Sequence, residues 1–259
     1  MTGRGSAGPA ILITIPLSHY CEKARWALDR LGVPYREEPH APLLHLAATK
    51  RHRGGSVPVL LHGDDRFIDS TAILAHADEV SGGGHLYPRD ATLRREVEEL
   101  EERFDTELGT QVRRWAYAHL LTQPQLLRSL WSRGVPPAEA AILTVLAPLT
   151  RRLVRRGYRI TPEAAVRAVE RVRDLCAQVG DRLRDGRSFL GGECFTAADL
   201  TFASLVAPMV LPVECRAVQP AVEELPAAMR EQVLRTRDTD AGRFALRMFS
   251  QERDRVLTT

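Results

Sequence analysis

Residues Ile11–Leu31 read ILITIPLSHYCEKARWALDRL. The stretch opens on a short apolar run, Ile11 to Ile15, that suits a buried strand, and Pro16 ends it. From Ser18 onward the spacing turns helical, with Cys21, Ala24, Leu28 and Leu31 on one face. Gly32 stops that helix, and Val33-Pro34 opens the next element. Ser18 therefore sits where a strand feeds a helix N-terminus. Free backbone N–H groups and the positive end of the helix dipole favour an anion there. A hydroxyl at that point can donate a hydrogen bond to an anion such as an ionised sulfur.

Strand signals continue only as far as about residue 68. Pro34–Glu38 reads as a second strand, Leu43–Ala48 as at most a short helix, and Thr49–Gly55 as a basic loop. Val57–Leu61 is a strand with proline near its start. His62–Asp65 is a turn, and Arg66–Ile68 is a partner strand that completes a hairpin. Asp69 and Ser70 suit a helix start ahead of Ile73, Leu74 and Ala77. The glycines at 82–84 end that helix. The order is βαβ, then ββα.

Beyond Asp90 the pattern is helical throughout. Leu93, Val97, Leu100, Phe104, Leu108, Val112 and Trp115 recur at three- and four-residue steps, which predicts one long amphipathic helix. Glu98, Glu99, Glu101 and Glu102 are expected on its solvated face. Further helices are predicted over Pro137–Arg156, Pro162–Arg184 and Ala197–Val210, with one or two after Pro220. Thr196 and Asp199 have the spacing of a capping box, flanked by the apolar pair Phe195 and Leu200. The domain expectations are a disordered tail at 1–9, a first domain at 10–82, a linker at 83–90 and an all-helical domain at 91–259. An extra helical segment is expected within it at about 124–159.

Composition narrows the function classes. The chain has 259 residues, is 44% hydrophobic and carries a net charge of +3, too slight to argue for nucleic acid. The four cysteines show no CxxC pair and no metal-ligand spacing, so no metal is expected, and a reduced, cytoplasmic location is the simplest reading. No apolar stretch is long enough for a membrane span. Cys21 is expected to be a buried structural residue rather than a nucleophile, and His19 a surface residue near the site. The run from Arg151 to Arg159 reads as a solvated face. Ala140–Leu149 reads as core or as a lid over an apolar pocket, and Trp115 and Tyr117 either line that pocket or simply pack.

Taken in order, these motifs resemble those of the cytosolic glutathione transferase superfamily. Ser18-His19-Tyr20-Cys21 is similar to the S-x-P-C stretch of its serine-type, theta- and delta-like members, with Tyr20 in place of proline. Leu31–Tyr35 resembles the usual entry to strand two. Ser56-Val57-Pro58-Val59-Leu60 resembles the family's V-P strand, whose proline is cis. Asp69-Ser70 resembles its acidic-Ser pair, Leu86-Tyr87-Pro88 its linker, and Phe195–Asp199 its helix capping box. The resemblance implies a thioredoxin-like N-terminal domain followed by an all-helical C-terminal domain. It implies glutathione as co-substrate, with Ser18 as the catalytic residue bonding the sulfur. The backbone at Val57 and Pro58 would pair with the cysteinyl part, and Asp69 and Ser70 would hold the γ-glutamyl end. His45, Lys50 and Arg53 are candidates for the glycyl carboxylate. The partners implied are a small hydrophobic electrophile in the helical domain and a second copy in a homodimer, in the setting of detoxification. A non-catalytic scaffold on the same fold, a glutathione-dependent lyase or dehalogenase, and a thiol oxidoreductase using Cys21 are the alternatives.

Overall fold

The N-terminal apolar run is paired along both edges in the computed structural model, which describes residues 9–257. Strand β1 (Ala10–Thr14) runs parallel to β2 (Tyr35–Pro39) and antiparallel to β3 (Val59–His62). Strand β4 (Asp65–Phe67) closes the sheet in the order β2-β1-β3-β4. A central strand covered on both faces needs apolar side chains at nearly every position, which is why β1 does not alternate. The parallel β1–β2 pair requires a crossover, supplied by α1 (His19–Arg30). Helices α2 (His45–Arg51) and α3 (Ser70–Val80) complete this half. The expected tail at 1–9 lies, apart from Pro9, outside the described residues.

The rest of the described chain is helical. Helix α4 (Ala91–Arg103) passes through a π-helical segment, Phe104–Gly109, into α5 (Thr110–Leu120), so the predicted long helix is present with a widened turn in its middle. Then follow α6 (Pro124–Ser132), α7 (Pro137–Gly157), α8 (Pro162–Leu183), α9 (Ala197–Val210), α10 (Ala227–Arg237) and α11 (Asp240–Glu252). Helix α9 is almost wholly buried and packs on α1, α4, α10 and α11. At its start the Asp199 carboxylate accepts the Thr196 N–H at 2.8 Å, the Thr196 hydroxyl at 2.8 Å and the Leu190 N–H at 2.6 Å. Burial pushes that carboxyl up to about 6. The architecture is a thioredoxin-like α/β unit followed by an all-helical unit.

Several sequence expectations need correction. Glu101 is not on a solvated face. It is buried, and its carboxylate takes the Lys23 ammonium at 2.8 Å and the Tyr87 hydroxyl at 2.7 Å. The supposed loop at Thr49–Gly55 begins inside α2, with Thr49 buried. Of the apolar part of α7, Leu143 joins the core, while Ile142, Val145 and Leu149 face outward. The arginines at 152, 155, 156 and 159 are exposed as expected, but Arg151 turns inward and donates to the Leu121 carbonyl at 2.6 Å.

Charged residues of α1 tie the two units together. Lys23 is fully buried. Its Nζ lies 2.5 Å from Asp105 Oδ2, 2.8 Å from Glu101 Oε1 and 3.1 Å from Thr71 Oγ1. One ammonium thus joins α1, α3, α4 and the π-helical segment. At the other end, Arg253 just past α11 is also fully buried, with Glu22 at 2.7 Å and Asp29 at 3.0 Å. The Trp26 indole and Arg30 both donate to the Glu252 carbonyl at 3.2 Å.

Removing Lys23 leaves the Glu101 and Asp105 carboxylates without their cation. Lys23→Met is expected to cost about 3–5 kcal/mol in urea unfolding at pH 7. Adding Glu101→Gln and Asp105→Asn to that variant should return much of the loss. A Lys23→Met protein as stable as wild type would show that the ammonium does not balance these groups.

Candidate functional site

Two recesses meet at the start of α1. A cavity of about 360 Å3 lies between the end of β1, the start of α1 and helices α5 and α9. It is lined by Ser18, His19, His45, Val57, Arg113, Tyr117 and Tyr158, among others, and by apolar side chains including Leu120, Leu211 and Met229. An open cleft beside it is lined by Val57, Pro58, Asp69, Ser70, Thr71 and Asp105. Tyr20, Ser56, Val57 and Arg113 border both.

Ser18 is the N-cap of α1. Its Oγ accepts the Cys21 N–H at 3.3 Å, and its own N–H donates to the Ile15 carbonyl at 2.9 Å. The cap uses a lone pair of the hydroxyl oxygen and leaves the hydroxyl proton for another acceptor. Capping and anion binding at Ser18 are therefore compatible. The adjoining N-terminal turn contributes N–H groups and the positive end of the dipole. Cys21 is completely buried, and desolvation raises its thiol above the ordinary range.

The other predicted residues divide. Asp69 caps α3, its Oδ1 accepting the Ala72 N–H at 2.7 Å, and it is exposed along the cleft, while Ser70 beside it is buried. The Val57–Pro58 peptide is cis. Pairing between β1 and β3 starts at Ile13 and Val59, so Val57 lies outside the ladder, where it borders both recesses. His45 lines the cavity, and burial together with nearby His40 lowers its pKa. Lys50 and Arg53 are exposed and line neither recess. Trp115 is buried away from the cavity, whereas Tyr117 lines it.

His19 is not a surface residue. It is buried at the cavity wall, 4.7 Å from the Tyr20 ring centroid. Burial, reinforced by the charge of Arg113, pushes its imidazole down to about 3, so it is neutral and a weak base.

Sequence reasoning missed Tyr20, Thr71, Arg113, Tyr158 and Cys215. Tyr20 and Arg113 were placed in no role because both meet at a seam between distant segments. Tyr20 donates to the Asp105 carbonyl at 2.6 Å, and Thr71 hydrogen-bonds the Asp105 carboxylate at 2.8 Å. Tyr158 follows α7 and lines the cavity. Cys215 lines the cavity with its thiol pushed well above the ordinary range by burial. Among the described residues no cluster of His, Cys, Asp and Glu is arranged to hold a metal ion, and no helix is long and apolar enough to cross a membrane.

This is the geometry of a thioredoxin-like domain facing a helical domain. Residues 12–84 match the family described as glutathione S-transferase, N-terminal domain. Solved structures similar to the whole chain include the beta-etherase LigF of Sphingobium sp. strain SYK-6, at 16% identity and TM-score 0.57, covering 92% of this chain and 99% of that one. Poplar glutathione transferase F1 matches at 14% identity and TM-score 0.55, covering 94% and 99%. The theta class enzyme of Xanthomonas axonopodis pv. citri, solved with glutathione bound, matches at 18% identity and TM-score 0.52, covering 92% and 97%. No curated protein sequence matches the chain. Residues 12–84 thus match a glutathione S-transferase N-terminal domain, as the motifs of that stretch led us to expect, and the solved structures share the fold of the chain.

The His19 environment has a measurable consequence. The unfolded chain takes up this proton near 6.5 and the folded chain only near 3. Its contribution is fully present above pH 6.5 and is lost as pH falls toward 3, with a slope of about 1.4 kcal/mol per pH unit. His19→Gln should flatten the acid limb of stability by about one proton, read from urea midpoints at pH 7 and pH 5. An unchanged slope would mean that His19 protonates in the folded protein.

Proposed function

We propose that the protein is a glutathione-dependent transferase. Its thiol domain spans residues 10–82, and its second domain, residues 91–259, carries the electrophile pocket. The observation that carries this reading is Ser18: a hydroxyl with a free proton, at a helix N-terminus, in a cavity that adjoins the cleft bordered by Asp69 and Ser70. The tripeptide lies along the cleft, with its γ-glutamyl end at Asp69 and Ser70. Its cysteinyl part runs beside the backbone at Val57 and Pro58, and its sulfur lies at Ser18. His45 is the nearer candidate for the glycyl carboxylate, since Arg53 and Lys50 line neither recess.

Ser18 has enough energy for the task. Lowering a thiol pKa from ~8.5 to ~6.5 needs about 2.7 kcal/mol. A hydrogen bond to an anion supplies about 1.5–3 kcal/mol, and the helix N-terminus about 0.3–1 kcal/mol. No separate base is required, in keeping with a neutral His19. The thiolate then bonds to the electrophilic carbon, and the leaving group departs with its electron pair. A glutathione-dependent lyase would use the same site, and the resemblance to a beta-etherase favours testing aryl ether substrates beside aryl halides. The buried Cys21 weighs against a thiol oxidoreductase at that residue.

Ser18→Ala should fold, bind glutathione with little change, and lose roughly ten- to a hundredfold in activity at neutral pH. Activity should recover partly in alkaline buffer, where the bound thiol ionises unaided. The measurement is a pH–rate profile with 1-chloro-2,4-dinitrobenzene, alongside calorimetric titration of glutathione. A wild-type profile in Ser18→Ala would remove the assignment, and no glutathione binding would favour a scaffold role.

We also propose a cytoplasmic homodimer, by resemblance to the superfamily. Light scattering at micromolar concentration should give twice the 28.9 kDa chain mass, and a monomer there would end that proposal.

A further inference from the structure

The cavity beside Ser18 holds one permanent charge and nothing that balances it. Arg113 lines it, and no aspartate or glutamate does. Arg113 is half-buried, its Nε is sealed from solvent without an acceptor, and it makes no hydrogen bond or ion pair among the described residues. Its guanidinium rests instead over aromatic faces, 4.3 Å from the Tyr158 centroid and 5.6 Å from that of Tyr20.

The rest of the molecule does not treat inward cations this way. Arg25 lies 2.6 Å from Glu37, Arg30 lies 2.9 Å from Glu252, and Arg253 lies 2.7 Å from Glu22. On the cavity side the neighbours of Arg113 supply no anion, and the carboxylates of the adjoining cleft, Asp69, Glu102 and Asp105, make no ion pair with it. His19 and His45 are held neutral. Burial raises the phenols of Tyr20 and Tyr117 and the Cys215 thiol, which keeps them protonated. A guanidinium braced on two rings, without a hydrogen-bond acceptor among the described residues and lining a cavity that holds no carboxylate, is a receptor for an oxyanion.

We propose that Arg113 seats the carboxylate or sulfonate of an apolar organic acid, whose hydrocarbon body lies against Ala116, Leu120, Leu211 and Met229. If the transferase reading holds, this acid is the electrophile, and the pocket selects anionic over neutral substrates. The competing occupant is a carboxylate of glutathione, because Arg113 also borders the cleft. The ring nearest the guanidinium decides between them: Tyr158 lines the cavity and not the cleft. The cation is thus braced from the side of the second substrate.

The test is calorimetric titration of the full chain at pH 7.4 with 4-phenylbutyrate and with its neutral amide, in wild type, Arg113→Gln and Arg113→Lys. Wild type should bind the acid roughly tenfold or more tightly than the amide. In Arg113→Gln the acid should fall to the level of the amide while amide binding holds, and Arg113→Lys should retain part of the preference. No acid preference in wild type, or one that survives Arg113→Gln, overturns the proposal. Glutathione is titrated into the same proteins. If Arg113→Gln weakens glutathione and spares the acid, Arg113 belongs to the tripeptide and the proposal falls. If wild type ignores glutathione but discriminates acid from amide, the transferase reading falls and the anion site stands.

Discussion

The ammonium of Lys23 is the interaction on which the site depends. It is one of only two lysines in the chain and is fully buried. Neither half of the site is built by one segment. Ser18 and Tyr20 come from the start of α1, Asp69 and Ser70 from α3, and Arg113 from α5. Lys23 bonds to α3 through Thr71, one residue beyond Ser70, and to the helical unit through Glu101 and Asp105. Burying three charges is favourable only if each finds its partner. Here the Tyr87 hydroxyl bonds Glu101 and the Thr71 hydroxyl lies within hydrogen-bond distance of both carboxylates, while Asp105 Oδ1 stays buried without a partner. Burial raises the Asp105 carboxyl, and the adjoining Lys23 opposes that rise. The seam is thereby specified by geometry: a shift between the units would leave a charge unpaired in a dry environment.

Much of the fold was legible because local signals and global arrangement agree. The β1 run, the caps at Ser18, Asp69 and Thr196, and the periodicity of α8 and α9 each depend on neighbours within one or two turns of chain. The motif order carried the resemblance, and a family match over residues 12–84 bears out its N-terminal part. What could not be read is the identity of partners distant in sequence. The pattern Glu22-Lys23-x-Arg25 looks like a solvated helix face, yet all three are buried, with partners at Arg253, Asp105 and Glu37. Glu101 misled for the same reason. Helix α7 failed in the opposite sense: its apolar residues predict burial, but it sits at the periphery with Val145 77% exposed. Periodicity reports that a helix has an apolar stripe and not which neighbour covers it.

The candidate site residues Ser18 and Asp69 were legible because they are also caps. Ser18 and Asp69 announce themselves because helix starts need oxygen acceptors. The same need brings a hydroxyl and a carboxylate to points where backbone N–H groups converge. Arg113 gives no such signal. In sequence it is one of a pair of arginines on an amphipathic helix, next to Arg114, which donates to the Tyr158 carbonyl at 3.2 Å. Only the folded arrangement shows that Arg113 faces a cavity lined without any carboxylate.

The π-helical segment explains how a long helix can serve both the seam and the cavity. A regular α-helix from Ala91 to Leu120 would present one continuous face. The widened turn at Phe104–Gly109 resets that face, so that Glu101 and Asp105 point at Lys23 while Arg113 and Tyr117 point at the cavity. The reset also lets α1 approach. The Tyr20 phenol reaches the Asp105 carbonyl at 2.6 Å by passing over Gly109, where a Cβ would lie 2.4 Å from the phenolic oxygen and 2.7 Å from the ring carbon that bears it. Glycine at that position is therefore a requirement of contact rather than of backbone conformation, since Gly109 keeps helical angles, φ −60° and ψ −39°. The glycine lowers helix propensity by about 1 kcal/mol relative to alanine. In return it brings the Tyr20 ring to the border of cleft and cavity, where the same ring forms one of the two faces that brace Arg113.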